Sequence, residues 1–138
     1  MKFFALSQLV KPLCALVLAA ALTSCVTAVI TPEQETNAGA AMQQQVADQI
    51  GLYMAPGLER YLDAVGQRLI TALGETPYSF QFAIVDQFEP NAFASPGGFI
   101  YVSRGLLAQM NSEAELAGVL AHEISHVTQR HHAKQAGR

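Results

Sequence analysis

The sequence predicts an α+β fold, mainly helical, with a small β-sheet set among the helices. Three observations lead there. Apolar residues recur at helical spacing in segments near 32–53, 58–73 and 113–134. Between the last two the period changes, because Tyr78, Phe80, Phe82 and Ile84 alternate with Ser79, Gln81 and Ala83. Start and stop signals fall where the segments meet: Thr31-Pro32 opens the first, Gly74 closes the second, and Ser112 opens the third.

The chain has 138 residues and a formal net charge of −3. Residues 1–24 are expected to be a lipoprotein signal peptide standing outside the fold. Lys2 and Lys11 give a positive beginning, and Leu13 to Leu22 is an apolar run too short to span a bilayer as a mature helix. The end of that run, Leu22-Thr23-Ser24-Cys25, resembles a bacterial lipobox. The resemblance implies cleavage before Cys25, with lipid on its sulfur and on the new amino terminus. Val26 after the cysteine, in place of aspartate, implies the outer membrane by the usual Gram-negative sorting pattern. The expected location is the cell envelope, as an outer-membrane lipoprotein facing the periplasm. An ordinary signal peptide cut elsewhere, or an uncleaved anchor, is the alternative.

Cysteine usage is consistent with this. Cys14 leaves with the signal peptide and acylation would occupy Cys25, so no thiol remains for a disulfide or a cysteine-type metal site. The leader holds two lysines and no acid. The remainder is therefore more acidic than the whole and carries no nucleic-acid footprint.

Residues 25–31 read as a lipid-anchored tether, and residues 32–138 as one domain at most. Thr31-Pro32-Glu33-Gln34 is a helix start, with proline at the first helical position and Gln34 placed to close a capping box. That helix is expected to run to about Tyr53 as a scaffold packed through Met42, Val46 and Ile50. Pro56-Gly57 breaks it. Leu58, Tyr61, Leu62, Val65, Leu69 and Leu73 mark a second amphipathic helix, ended by Gly74. Tyr78 to Phe88 reads as a half-buried strand stopped by Pro90. Phe99 to Ser103 is a second strand, entered through Pro96-Gly97-Gly98 and followed by a short helix near Gly105 to Met110. Asn91-Ala92-Phe93-Ala94-Ser95 connects the two strands and leads towards the last helix.

That last helix carries the chemistry. Ser112 is its expected N-cap, with Glu115 reaching back, and no proline interrupts it as far as Lys134. Within it stands Ala121-His122-Glu123-Ile124-Ser125-His126. At 3.6 residues per turn His122 and His126 lie one above the other, so their imidazoles can converge on one ion. Zinc suits neutral imidazole and a tetrahedral arrangement. Glu123 lies about 100° round the helix from His122, off the ion but within reach of a water beside it. The H-E-x-x-H pattern therefore gives two ligands for one zinc per chain and a general base.

Other stretches extend the pattern. Asn91-Ala92-Phe93-Ala94, then Pro96-Gly97-Gly98-Phe99-Ile100-Tyr101-Val102, then Gly105-Leu106-Leu107, resemble a zinc metallopeptidase family. Glu113-Ala114-Glu115-Leu116-Ala117-Gly118-Val119-Leu120, running into the histidine pair, resembles it too. The family is that of HtpX, BepA and the CAAX-prenyl endopeptidase, and the lipobox points to its outer-membrane lipoprotein members (LoiP-like). The resemblance covers about residues 33–132. It implies a zincin-like domain with the small sheet beside the active-site helix. It also implies a zinc-dependent metalloendopeptidase acting on unfolded or misassembled envelope polypeptides. His122 and His126 match the family's zinc ligands, and Glu123 its general base. Asn91 and Ala92 match a segment along which a substrate backbone is aligned as an added strand.

The family's third ligand is a glutamate on a later helix, and this chain stops at Arg138. His131 would fall opposite His122 on a continuous helix, and His132 about 80° off its face. Glu115 stands about 10 Å away along the axis. None of them can substitute, and the expectation is a C-terminally truncated domain, the N-terminal part of a longer enzyme. Two histidines alone would hold zinc weakly, so the fragment by itself is not expected to be a complete catalyst. Two other classes stay open: a non-catalytic periplasmic chaperone binding outer-membrane protein clients, and a lipid-anchored structural module.

Overall fold

A computed structural model describes residues 30–129. The leader, Cys25, most of the tether, and the stretch bearing His131 and His132 lie outside the described residues.

Helix α1 (Pro32–Gln49) begins as the sequence predicts. Thr31 Oγ1 accepts from the Gln34 N–H at 3.3 Å, and Gln34 Oε1 accepts from the Thr31 N–H at 2.9 Å. It ends before the expected Tyr53. Gly51 takes a φ of 90°, after which Leu52 bridges to Val85 and the Tyr53 N–H donates to the Ile84 carbonyl at 2.9 Å. Pairing with the sheet thus overrides the helical period there. Helix α2 (Pro56–Leu73) starts at the proline read as a breaker. Pro56 needs no N–H in the first turn, and the Glu59 carboxylate accepts from the Ala55 N–H at 3.0 Å.

The sheet has three strands, β1 (Gln81–Val85), β2 (Ala92–Ser95) and β3 (Phe99–Ser103), in the order β1-β3-β2. β3 runs parallel to β1 and antiparallel to β2. The connector at 91–95 is therefore a strand itself. Gly97 and Gly98, with φ of 82° and 102°, turn the chain so that Ser95 faces Phe99 and Ala92 faces Val102. A short helix α3 (Arg104–Leu107) and the long α4 (Glu113–Thr128) complete the described elements.

Strand alternation sorts the side chains into two cores. Phe82, Ile84, Ala92, Ala94, Ile100 and Val102 pack with Leu62 and Val65 of α2 and with the apolar stripe of α4. That stripe is Leu116, Leu120, Ile124 and Val127, all buried, each contributing about 1.5–3 kcal/mol by leaving water. Val85, Phe93, Phe99 and Tyr101 point the other way, towards Val46 of α1. The sheet is thus covered on both faces, and β3 is buried along its whole length. Alternation in β1 alone suggests a half-buried sheet; the second cover comes from α1, which packs unlike its expected seam. Met42 and Ile50 are exposed, while Glu35, Gly39 and Val46 are buried. Gly39 lies so close to the Pro96 carbonyl and the Phe99 ring that a Cβ there would overlap both. The buried Glu35 carboxylate accepts a hydrogen bond from the Tyr78 hydroxyl. The result is a mainly helical α+β domain with a small mixed sheet.

Candidate active site

The N-terminal half of α4 is fixed by its cap. Ser112 Oγ accepts from the Glu115 N–H at 3.3 Å. Glu115 reaches back one residue further than a capping box requires, accepting from the Asn111 N–H at 2.8 Å. With the apolar stripe held against the sheet, the opposite side of the helix is free to carry Ala114, Gly118 and His122, spaced four apart.

His122 and His126 are brought together. Their Nε2 atoms lie 3.0 Å apart, with the rings nearly perpendicular at 88°. Two nitrogens each about 2.0–2.1 Å from a tetrahedral zinc would stand about 3.3 Å apart. The pair therefore fits two adjacent ligand positions with a few tenths of an ångström of movement. Neutral imidazole nitrogens are also the donor chemistry zinc prefers. Among the described residues no group of three or more His, Cys, Asp or Glu side chains is placed to hold a metal.

Beside the pair lies a groove of about 620 Å³. One wall is Pro90, Asn91 and Ala92, at the start of β2. The other is α4, through Ala114, Gly118, Val119, His122 and Glu123, with Leu106 of α3 between them. His122, Glu123, Asn91 and Ala92 thus share one cavity. His126 lies one turn further along and does not line it. Glu123 is half-buried, and its carboxylate has no protein hydrogen-bond partner among the described residues.

β2 is an edge strand. The Asn91 carbonyl accepts from the Ser103 N–H at 2.9 Å, so residue 91 bonds inward to β3. Antiparallel alternation then turns the N–H and C=O groups of Ala92 and Ala94 outward, to the open edge. The wall is held from behind by Ser103, which is fully buried. Its Oγ accepts from the N–H groups of Asn91 at 2.9 Å and Leu106 at 3.1 Å, and donates to the Glu89 carbonyl at 2.8 Å. One hydroxyl therefore ties the start of β2 and the start of α3 to the end of β3.

Residue types alone did not single out Pro90, Leu106, Val119, Gly118 or Ser103. A signal existed for Gly118 and Ala114: both stand at multiples of four before His122, where small residues leave space on its face.

Comparison with known proteins gives a consistent answer. The putative beta-barrel assembly-enhancing protease of Vibrio cholerae is 37% identical over 105 residues, covering 76% of this chain and 22% of that protein. The beta-barrel assembly-enhancing protease of Escherichia coli K12 is 37% identical over 101 residues, covering 73% of this chain and 21% of that protein. The mitochondrial metalloendopeptidase OMA1 of Schizosaccharomyces pombe is 36% identical over 75 residues, covering 54% of this chain and 22% of that protein. The chain spans about a fifth of the length of the relatives it matches. Residues 56–138, from the first turn of α2 through the histidine pair, match the description "Peptidase family M48". By that match, which takes in the groove, the open strand edge and the paired imidazoles, the chain belongs to peptidase family M48.

Proposed function

We propose that this chain carries the metal-binding and proton-handling part of a zinc metalloendopeptidase that cleaves unfolded or misassembled envelope proteins. The observation that carries the reading is the pair of imidazole Nε2 atoms 3.0 Å apart beside a groove that Glu123 also lines. His122 and His126 would hold one zinc ion. When bound, the ion supplies Lewis acidity, polarising the scissile carbonyl and making a neighbouring water more acidic.

The chain's own groups do the rest. The outward N–H and C=O groups of Ala92 and Ala94 pair with an extended polypeptide as one more strand, with Asn91 and Ala92 directing it into the groove. Backbone pairing is indifferent to side chains, which suits unfolded clients of many sequences. The Glu123 carboxylate takes a proton from the attacking water and returns it to the leaving amine nitrogen as the C–N bond breaks.

The proposal also covers location. Lipid on Cys25 would anchor the protein to the outer membrane facing the periplasm, as in the family's lipoprotein members. The lipobox supports this, and the two bacterial relatives are named for β-barrel assembly. Among the described residues no helix is long and apolar enough to cross a membrane. Among the described residues no third ligand stands beside the pair, and the family resemblance implies that a glutamate supplies it.

The central test uses the full-length protein. Glu123→Gln should keep bound zinc, measured by elemental analysis, and lower cleavage of unfolded casein by roughly 10²–10⁴-fold. Undiminished turnover would end the general-base assignment. If wild type and variant both hold unfolded client and neither cuts it, the chaperone reading replaces the protease.

A further inference from the structure

Gly118 has no structural reason to be glycine. It sits in the interior of α4, where glycine is a poor helix former, and its φ is not positive. A Cβ built there would meet nothing within 4 Å among the described residues. Gly39 and Gly66, by contrast, are pressed against the Pro96 carbonyl and the Phe82 ring. What Gly118 does face is the groove, one turn before His122 and opposite the start of β2.

We propose that Gly118 leaves open a subsite for one bulky apolar side chain of a bound polypeptide, and that its missing side chain sets the depth of that subsite. The inference rests on the reading of the groove as a polypeptide-binding cleft. The surroundings set the ligand's chemistry. Pro90, Ala92, Leu106, Ala114 and Val119 make the space apolar. Glu115 and Glu123 stand where an acidic side chain would be repelled, and among the described residues no Lys or Arg lines it. A chain paired along β2 projects alternate side chains to one side, so one of them enters beside the scissile bond. A leucine or phenylalanine there removes apolar surface from water; alanine leaves the space unfilled.

The test uses the full-length, zinc-loaded protein carrying Glu123→Gln, so that binding is read without turnover. The probes are fluorescein-labelled alanine-serine decapeptides bearing one Phe, Leu, Ala or Asp at a fixed position, followed by fluorescence anisotropy. The Phe and Leu peptides should bind roughly tenfold more tightly than the Ala peptide, and the Asp peptide, which still meets Glu115 and fills no apolar space, no more tightly than the Ala peptide. Adding Gly118→Leu should shrink the Phe-over-Ala preference to under about twofold. Adding Gly118→Ala should reduce the preference partly and raise the unfolding midpoint of the domain by about 2–5 °C. This second variant keeps the proposal testable if the leucine is not tolerated. A preference unchanged in Gly118→Ala and Gly118→Leu overturns the proposal, as does no preference for Phe or Leu at the start. Separate cleavage assays with Glu123 intact distinguish the two ideas. Selective binding without hydrolysis defeats only the protease; hydrolysis indifferent to Gly118 defeats only the subsite.

Discussion

Two of the helices that cover the sheet, α1 and α4, use glycine for opposite ends. On one face α1 comes down so close that Gly39 touches the Pro96 carbonyl, while Gly97 of the turn lies against the backbone of Thr36. On the other, α4 stands off on leucine and isoleucine and turns Gly118 to an empty groove. The first glycine lets backbone meet backbone. The second keeps backbone and neighbour apart. A glycine in a helix therefore says nothing by itself; what occupies the position of its absent Cβ decides whether it serves packing or a bound molecule.

The contrast can be broken by substitution. Gly39→Ala should cost about 2–4 kcal/mol in urea denaturation, since neither the Pro96 carbonyl nor the Phe99 ring can retreat without moving the hairpin. A loss below about 0.5 kcal/mol would show the α1 interface to be as yielding as the groove, and the distinction would collapse.

Ser103 joins the two regions, because it is buried in the sheet yet fixes the groove wall. Ser103→Ala leaves two N–H groups and one carbonyl without their partner and should destabilise by about 2–3 kcal/mol. Under conditions where the variant is still folded, its KM for peptides should rise more than its kcat falls. Equal loss in both would mean that Asn91 and Leu106 keep their places unaided.

The smallest effect is expected behind the sheet. The hydroxyls of Tyr101 and Ser95 are buried there with no hydrogen-bond partner among the described residues, and Tyr101 stacks on Phe93 with ring centroids 4.9 Å apart. Burial pushes the Tyr101 phenol above its ordinary value of 10.0, with Ser95 pulling weakly the other way. The neutral phenol is thus favoured in the folded state. Its contribution is complete below pH 10 and declines as pH rises above that, where the unfolded chain ionises first. Tyr101→Phe should change stability by no more than about 1 kcal/mol at neutral pH and flatten the decline above pH 10. An unchanged alkaline limb would assign that decline to other groups.

Much of this was legible in the residues, for identifiable reasons. The caps at Thr31 and Ser112, the stop at Gly74 and strand β3 announce themselves through local chemistry that the fold leaves in place. The juxtaposition of His122 and His126 follows from helical spacing once α4 is a helix. What escaped was set at long range. Ala92–Ser95 has little intrinsic strand preference and becomes β2 only by pairing with Phe99–Val102 across the Pro-Gly-Gly turn. Ile50 to Tyr53 keeps the helical pattern but is drawn onto the edge of β1. Nothing local marks Glu35 for burial, and the Tyr78 hydroxyl that donates to it comes from far along the chain. The groove is likewise a property of two elements facing each other.

The open edge of β2 has one further consequence, for self-association. An unpaired strand invites any extended segment, including one from a damaged copy of the same protein, and long uncharged edges seed aggregates. Here the invitation is short. The strand offers four residues, Ala92–Ser95, with Pro90 before it and Pro96 immediately after, neither able to donate a backbone hydrogen bond. Four residues reach only about 13 Å, so a visiting chain gains a few hydrogen bonds and cannot zip onward in either direction. The edge is therefore suited to brief capture and release, and poorly suited to the growth of a cross-β fibre.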